Sequence, residues 1–326
     1  MGMARIAVIE RTGGPEVIAW VTRDLSPPGA GEVRVRHDAV GLNFIDTYQR
    51  SGLYPVPMPS GLGSEAAGVI EALGPDVTGF APGDRVTTFG PALGAYASAR
   101  NVPARSLFRI PDVIDAQTAA AVTLKGATVE FLVERCARVQ PGMTVLLHAA
   151  AGGVGQLAVQ WLKHVGASVI GTVGSADKAA KARALGADHV IEYKREDIAA
   201  RVREITNGKG VEVVLDGVGG TTWQASLAAT ARRGLIVSFG NAGGPVEGVN
   251  LATLNQHGSL FVTRPKAFDY YVEPDERAAG MARVFDLVRS GALNVEIGQR
   301  FALEDAAEAH RAIESGATTG STVLVP

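Results

Sequence analysis

The sequence predicts an α/β protein in two parts. One is a mostly β part made from both ends of the chain; the other is a doubly wound, parallel-sheet part inserted between them. Three observations lead there. Residues 123–263 alternate short continuous apolar runs with helix-patterned stretches, the pattern of a parallel sheet covered on both faces. Residues 1–122 carry period-2 alternation broken by turn residues. A glycine-rich turn, His148-Ala-Ala-Ala-Gly-Gly-Val-Gly155, links an apolar run to the most regular helix pattern in the chain.

In chain order, Arg5–Ile9 and Glu32–Val40 alternate as half-buried strands do. Pro27-Pro28-Gly29 and Tyr54–Pro59 are loops, because proline fixes φ and removes donors. Gly83-Asp84-Arg85-Val86 turns into a further strand. Six apolar strand segments follow, at 143–148, 168–173, 188–191, 211–215, 235–239 and 259–263. Between them, Val154, Leu157, Ala158, Trp161, Leu162 and Val165 line one face of a helix, and Ile198, Val202 and Ile205 line another that Asn207-Gly208 closes. Six such strands match a doubly wound (Rossmann) dinucleotide fold. The tail adds a helix near 275–290, a strand near 295–301, a helix at 304–314 and a strand at 320–325, and is expected to rejoin the N-terminal part. The expected domains are therefore 1–122 with 264–326, and 123–263.

Composition narrows the function. The 326 residues include one cysteine, and 31 basic residues stand against 33 acidic. A lone cysteine allows no internal disulfide and no zinc site needing two cysteines, and it favours a reducing, cytoplasmic setting. The near-zero net charge lacks the basic face that nucleic acid requires. No apolar stretch is long enough for a membrane span, and the start of the chain lacks the apolar core of a signal peptide.

The glycine turn reads as Ala150-x-Gly152-x-x-Gly155, a dinucleotide fingerprint with alanine at its first position. Gly152 admits a pyrophosphate to the backbone, Gly155 lets the helix pack closely, and the helix N-terminus supplies N–H groups and its positive end through Gly153 and Val154. An NAD site would place a carboxylate at the end of the next strand to hold the ribose 2′-hydroxyl. Here stand Gly174-Ser175, with Asp177 in the first helical turn and Lys178 beside it. A small, polar strand end with a nearby cation favours a 2′-phosphate, hence NADPH. Lys178 alone reads equally well as a solvated helix lysine.

Several longer stretches carry a family likeness. Gly41-Leu-Asn-Phe-Ile-Asp-Thr-Tyr-Gln-Arg-Ser-Gly52, Gly61-Leu-Gly-Ser-Glu-Ala-Ala-Gly68, Gly83-Asp-Arg-Val86, His148–Gly155 and Phe261-Val-Thr-Arg-Pro265 together resemble the zeta-crystallin-type quinone oxidoreductases, especially the bacterial ones. These are zinc-free members of the medium-chain dehydrogenase/reductase superfamily. The likeness implies a GroES-like catalytic domain beside the Rossmann domain. It puts Asn43 where zinc-dependent relatives carry a ligand cysteine, and Ser64, before Glu65, where they carry a ligand histidine. Without a Lewis acid, oxidation through a metal alkoxide is unavailable, whereas a quinone or enone is already electrophilic.

The resemblance also implies residue roles. Asn43, Phe44 and Asp46 attend the nicotinamide, Tyr48 and Tyr54 line the acceptor pocket, and Arg264 closes it. Lys125 and Thr128 contact the cofactor; Gly174, Ser175, Lys178 and Tyr193 form the 2′-phosphate pocket; Phe239, Gly240 and Asn241 lie where a ligand crosses the sheet edge. Two departures stand out: Gly316 replaces an arginine that reaches the cofactor phosphate, and Phe131 replaces a tyrosine near the nicotinamide.

Cys136 reads as a core filler on a helix with Val129, Leu132 and Val133, and His148 as a packed histidine donating to a nearby carbonyl. The other five histidines, His310 among them, show no ligand spacing. The strand at 259–263 would leave a sheet edge open, which with the family likeness suggests a homodimer. The expected activity is NADPH-dependent, metal-free quinone reduction. The alternatives are reduction of an enone or alkenal double bond, and a non-catalytic NADPH-binding role.

Overall fold

The computed structural model describes residues 2–90 and 92–326; Met1 and Pro91 lie outside the described residues. Two compact units emerge. The first comprises residues 1–125, 273–289 and 295–326, and the second 126–272 with 290–294. Residues 264–272 thus pack with the second unit.

The first unit opens with β1 (Met3–Ile9), β2 (Ala19–Asp24) and β3 (Glu32–Leu42). Helix α1 (Phe44–Ser51) follows β3 directly, and Gly52 ends it in the left-handed conformation. Then come β4 (Ser60–Gly61), β5 (Glu65–Leu73), β6 (Arg85–Phe89), β7 (Ala99–Pro103) and β8 (Leu107–Arg109). Helix α2 (Ala116–Glu130) runs out of this unit.

The second unit repeats strand and helix: β9 (Thr144–Leu147), α3 (Gly153–Val165), β10 (Ser168–Val173), α4 (Ala176–Ala184), β11 (His189–Glu192), α5 (Ile198–Ile205), β12 (Val211–Asp216), α6 (Trp223–Ala229), β13 (Thr230–Ser238), α7 (Leu251–Gln256), β14 (Phe261–Thr263) and α8 (Ala267–Tyr270). All pairings are parallel, in the order β11-β10-β9-β12-β13-β14. Parallel strands need crossovers, and the helices between the apolar runs supply them. The strand order reverses beside β9, so a ligand site is expected at the C-terminal ends of β9, β10 and β12. Leu146, Ile170, Val214 and Ile236 from adjacent strands share one core, which α5 and α6 join through Val202 and Leu227.

The chain returns through α9 (Pro274–Arg289), β15 (Ile297–Ala302), α10 (Ala306–Glu314) and β16 (Ser321–Val325). β16 pairs antiparallel with β3 at Thr322–Leu42 and Leu324–Val40, placing the C-terminus in the first unit's seven-stranded sheet.

One helix departs from its sequence pattern. Beyond Glu130, α2 passes into a π-turn over Phe131–Cys136. The wider turn rotates later side chains off the α-helical face, so Cys136 is half-buried rather than a core filler. Phe131 stacks on Tyr270 at 4.6 Å, and Arg135 donates to Glu130 and to the Tyr270 carbonyl.

Candidate active site

The candidate residues gather in two clusters, one in each unit. In the second unit, Ala149 takes a positive φ of 55° and turns the chain from β9 toward α3. A Cβ on Gly155 would lie 2.1 Å from the Ala149 carbonyl oxygen, so only glycine lets the helix sit there. A Cβ on Gly152 would meet nothing closer than 3.4 Å, and this cap residue offers α3 no side-chain bond. The first turn of α3, with Gly153 and Val154, is therefore left to an outside acceptor. Gly171 has a packing reason of its own: a Cβ there would be 2.8 Å from the Ala150 methyl.

At the end of β10, Ser175 caps α4 and accepts from the Lys178 amide at 3.4 Å. The Tyr193 hydroxyl lies 2.8 Å from the position a Cβ would take on Gly174. Burial lowers the pKa of the Lys178 ammonium, and the Lys194 charge adds to this. Two mutually repelling cations beside a carboxylate-free strand end suit a dianionic phosphate. Lys194 was missed in the sequence reading; its signal was the Lys194-Arg195 pair just after β11.

The third element is the segment after β13. A Cβ on Gly240 would come within 2.2 Å of the Gly217 carbonyl, and one on Gly217 within 2.8 Å of the Phe239 ring. These two glycines let the segments after β12 and β13 lie against each other. The Arg264 guanidinium, just beyond β14, donates to Ser238 Oγ, the Gly240 carbonyl and Asn241 Oδ1, each at 2.9 Å. It therefore braces Phe239–Asn241.

Behind this edge lies a buried network. Asp216 Oδ1 accepts from the amides of Val218 and Gly219 at 2.9 Å, and Oδ2 from Ser226 Oγ at 2.7 Å. The Ser226 proton is thus committed to Asp216, so His148 Nε2 donates to Ser226 Oγ at 3.0 Å, and Nδ1 accepts from Thr172 Oγ1 at 3.0 Å. His148 is held neutral by burial against the opposing pull of Asp216. Its partners are hydroxyls rather than the expected carbonyl, because the neighbouring strands present Thr172 and Asp216 at the same level. The network ties β9, β10, β12 and α6 together at the ligand-binding edge.

In the first unit, Asn43 is the N-cap of α1 and forms a capping box with Asp46. The Asn43 amide donates to Asp46 Oδ2 at 2.9 Å, and Asn43 Nδ2 donates to Glu65 Oε2 at 2.9 Å. Glu65 Oε1 accepts from the Leu124 amide at 2.5 Å. Lys125 Nζ donates to the Leu42 carbonyl at 3.1 Å and lies 3.7 Å from Glu65 Oε2. A Cβ on Gly41 would be 2.3 Å from Glu65 Oε2, so β3 passes this carboxylate as bare backbone. Burial raises the pKa of Glu65, and Lys125 and Asn43 oppose the shift. Asp46, also accepting from Ser64 Oγ at 3.3 Å, is pushed up to about 7 by burial.

Zinc prefers thiolate, imidazole and carboxylate ligands. Around Glu65 stand an amide, a hydroxyl and an ammonium instead, and that donor set does not suit it. Among the described residues, no group of three or more His, Cys, Asp or Glu could hold a metal ion.

Tyr48 and Tyr54 meet edge to face at 5.2 Å, and the Tyr54 amide donates to the Tyr48 carbonyl at 3.0 Å. The sequence pattern thus brings together Asn43, Phe44, Asp46, Tyr48, Tyr54 and Lys125 in the first unit, and the glycine turn, Gly174–Lys178, Tyr193 and Phe239–Asn241 with Arg264 in the second. Thr128 lies on α2 in the second unit. Tyr96, which reaches Asp46, and His310, which reaches Tyr96, carried no motif.

Residues 29–112 match the alcohol dehydrogenase GroES-like domain family, and residues 153–272 the zinc-binding dehydrogenase family. The chain is 51% identical to a quinone oxidoreductase of Pseudomonas aeruginosa, over 99% of this chain and 100% of that protein. It is 42% identical to a 2-haloacrylate reductase of a Burkholderia species, over 99% of each. Among solved structures it is similar to the Escherichia coli quinone oxidoreductase complexed with NADPH, at 47% identity and a TM-score of 0.97, covering 99% of this chain and 100% of that one. With a likeness that spans the whole chain and both domain families, the protein belongs to the quinone oxidoreductase family of the medium-chain dehydrogenase/reductase superfamily.

Proposed function

We infer that the protein is an NADPH-dependent quinone reductase. Full-length identity of 51% to a quinone oxidoreductase carries this reading. The carboxylate-free end of β10, with Lys178 and Lys194 beside it, supports NADPH as the donor. When bound, NADPH supplies a hydride, and quinone, NADPH and one proton become hydroquinone and NADP⁺.

The chain's own residues hold and orient the reactants. The first turn of α3 with Gly152, Gly153 and Val154 takes the pyrophosphate; Gly174, Ser175, Lys178 and Tyr193 take the 2′-phosphate; Lys125, Thr128 and Phe239–Asn241 guide the nicotinamide end. Asn43, Phe44 and Asp46 fix its environment, and Tyr48, Tyr54 and Arg264 orient the acceptor, offering flat faces and donors to a carbonyl oxygen. Functionally, residues 1–122 with 264–326 serve as the catalytic domain and 123–263 as the cofactor domain. Among the described residues, no helix is long and apolar enough to cross a membrane. We place the protein in the cytoplasm, without a nucleic-acid partner. Strand β14 has one neighbour in its sheet and exposes Phe261 and Val262, which supports a homodimer joined along that edge.

Similarity to a 2-haloacrylate reductase favours a second reading, reduction of an activated carbon–carbon double bond. A kinetic panel of quinones and enones, run with NADPH and with NADH, tests both. Quinone turnover with NADPH preferred is the expected result. A saturated ketone from an enone without quinone turnover would establish the second reading, and NADPH binding without consumption a non-catalytic role.

A further inference from the structure

A buried line of hydrogen bonds runs from Arg50 to Asp46 through two residues that no motif marks, His310 and Tyr96. Arg50 pairs with Glu314 through both nitrogens, at 2.6 and 3.0 Å. Arg50 Nη1 lies 3.2 Å from His310 Nδ1, His310 Nε2 lies 2.9 Å from the Tyr96 hydroxyl, and that hydroxyl lies 3.2 Å from Asp46 Oδ2. Asp46, Tyr96 and His310 are fully buried, and Arg50 is 3% exposed.

Hydrogen-bond chemistry gives the line one direction. A guanidinium can only donate, so His310 Nδ1 accepts. Burial, with Arg50 adjacent, lowers the His310 pKa to about 3 and keeps the ring neutral. Its one proton therefore sits on Nε2 and is donated to Tyr96, whose own proton is then aimed at Asp46. The Tyr96 ring cannot swing away. A Cβ on Gly63, which has a φ of +88°, would be 2.2 Å from Tyr96 Cδ1, and His310 meets the ring edge-on at 5.7 Å.

Both ends of this line lie on α1, at Arg50 and at Asp46, and at Asp46 the same Oδ2 accepts the Asn43 amide while Asn43 Nδ2 reaches Glu65. We propose that Tyr96 and His310 are positioning residues for the reaction, holding the Asp46 carboxylate and through it the first turn of α1, with Asn43, Phe44 and Tyr48. The inference rests on the reading above that α1 serves the nicotinamide and the acceptor.

The test uses the full chain with Tyr96→Phe, His310→Leu and His310→Gln. Glutamine keeps an acceptor for Arg50 and a donor for Tyr96. Tyr96→Phe and His310→Leu should lower kcat/KM for 1,4-benzoquinone about tenfold or more, while His310→Gln stays within roughly threefold of the parent. NADPH affinity, read by fluorescence titration, should stay within about twofold throughout. Nitrogen-15 NMR of the parent should show His310 as the Nε2–H tautomer between about pH 5 and 8. Parental kinetics in Tyr96→Phe, equal losses in His310→Leu and His310→Gln, or an Nδ1–H tautomer would each overturn the proposal. Should His310→Leu fail to fold, Tyr96→Phe decides, since its ring packing is untouched. A parent chain that turns over no quinone and no enone would instead sink the functional reading, and the tautomer would still judge the line.

Discussion

The Lys125 ammonium lies 3.7 Å from the Glu65 carboxylate, with both side chains buried. Removing either partner strands a charge. Lys125→Met should cost about 3–5 kcal/mol of stability, and the double variant Lys125→Met/Glu65→Gln should cost clearly less than the sum of the two single changes. Urea unfolding of the four chains measures this; strict additivity would show that the pair is not coupled.

Acid titration should expose groups working in opposite directions. Burial lowers the pKa of His37 and His310 to about 3, whereas unfolded histidine takes up a proton near 6.5. In that window the unfolded chain binds more protons, so stability rises with pH. Asp46 acts the other way: raised to about 7 from 3.8, it contributes stability below its unfolded value that is lost as pH climbs toward 7. His148, also lowered by burial, adds to the rise and Glu65, also raised by burial, opposes it, so the slope between about pH 4 and 6.5 is the balance of these groups. Asp46→Asn should make that slope more positive by up to about 1.4 kcal/mol per pH unit, seen in urea midpoints across the range.

Cofactor choice should hinge on Lys178. Lys178→Ala should raise the KM for NADPH about tenfold or more and leave that for NADH within roughly twofold. Equal effects on both would make Lys178 a solvated helix residue.

The open edge of the second sheet predicts an assembly state. Phe261→Lys, a charge on a strand edge, should convert the proposed homodimer to monomer in light scattering while the melting temperature of the folded chain changes little. A dimer that survives the charge would put the interface elsewhere.

The second unit was almost fully legible in the sequence. Continuous apolar strands announce a parallel sheet, and the segment 168–173 coincides with β10. Gly155 was legible because its steric demand is local: strand, turn and helix lie within a dozen residues. Tyr96 and His310 were not, since they are 214 positions apart and meet only in the fold. The π-turn escaped for a different reason. An extra residue in a helix leaves the apolar pattern before it intact, and Cys136 is the last residue of the widened turn. Arg264 was marked from family likeness as a pocket residue; its bonds to Ser238, Gly240 and Asn241 required the return of the chain past β14.

That return has a mechanical meaning. Arg264 follows the last residue of β14 directly, so a single side chain links the sheet's outermost strand to Asn241. In the proposed dimer, a partner that stiffens β14 also stiffens the segment that guides the nicotinamide. Specific activity then becomes a function of protein concentration, falling on dilution as monomers release their hold on that segment and recovering when a catalytically dead copy of the chain is added back.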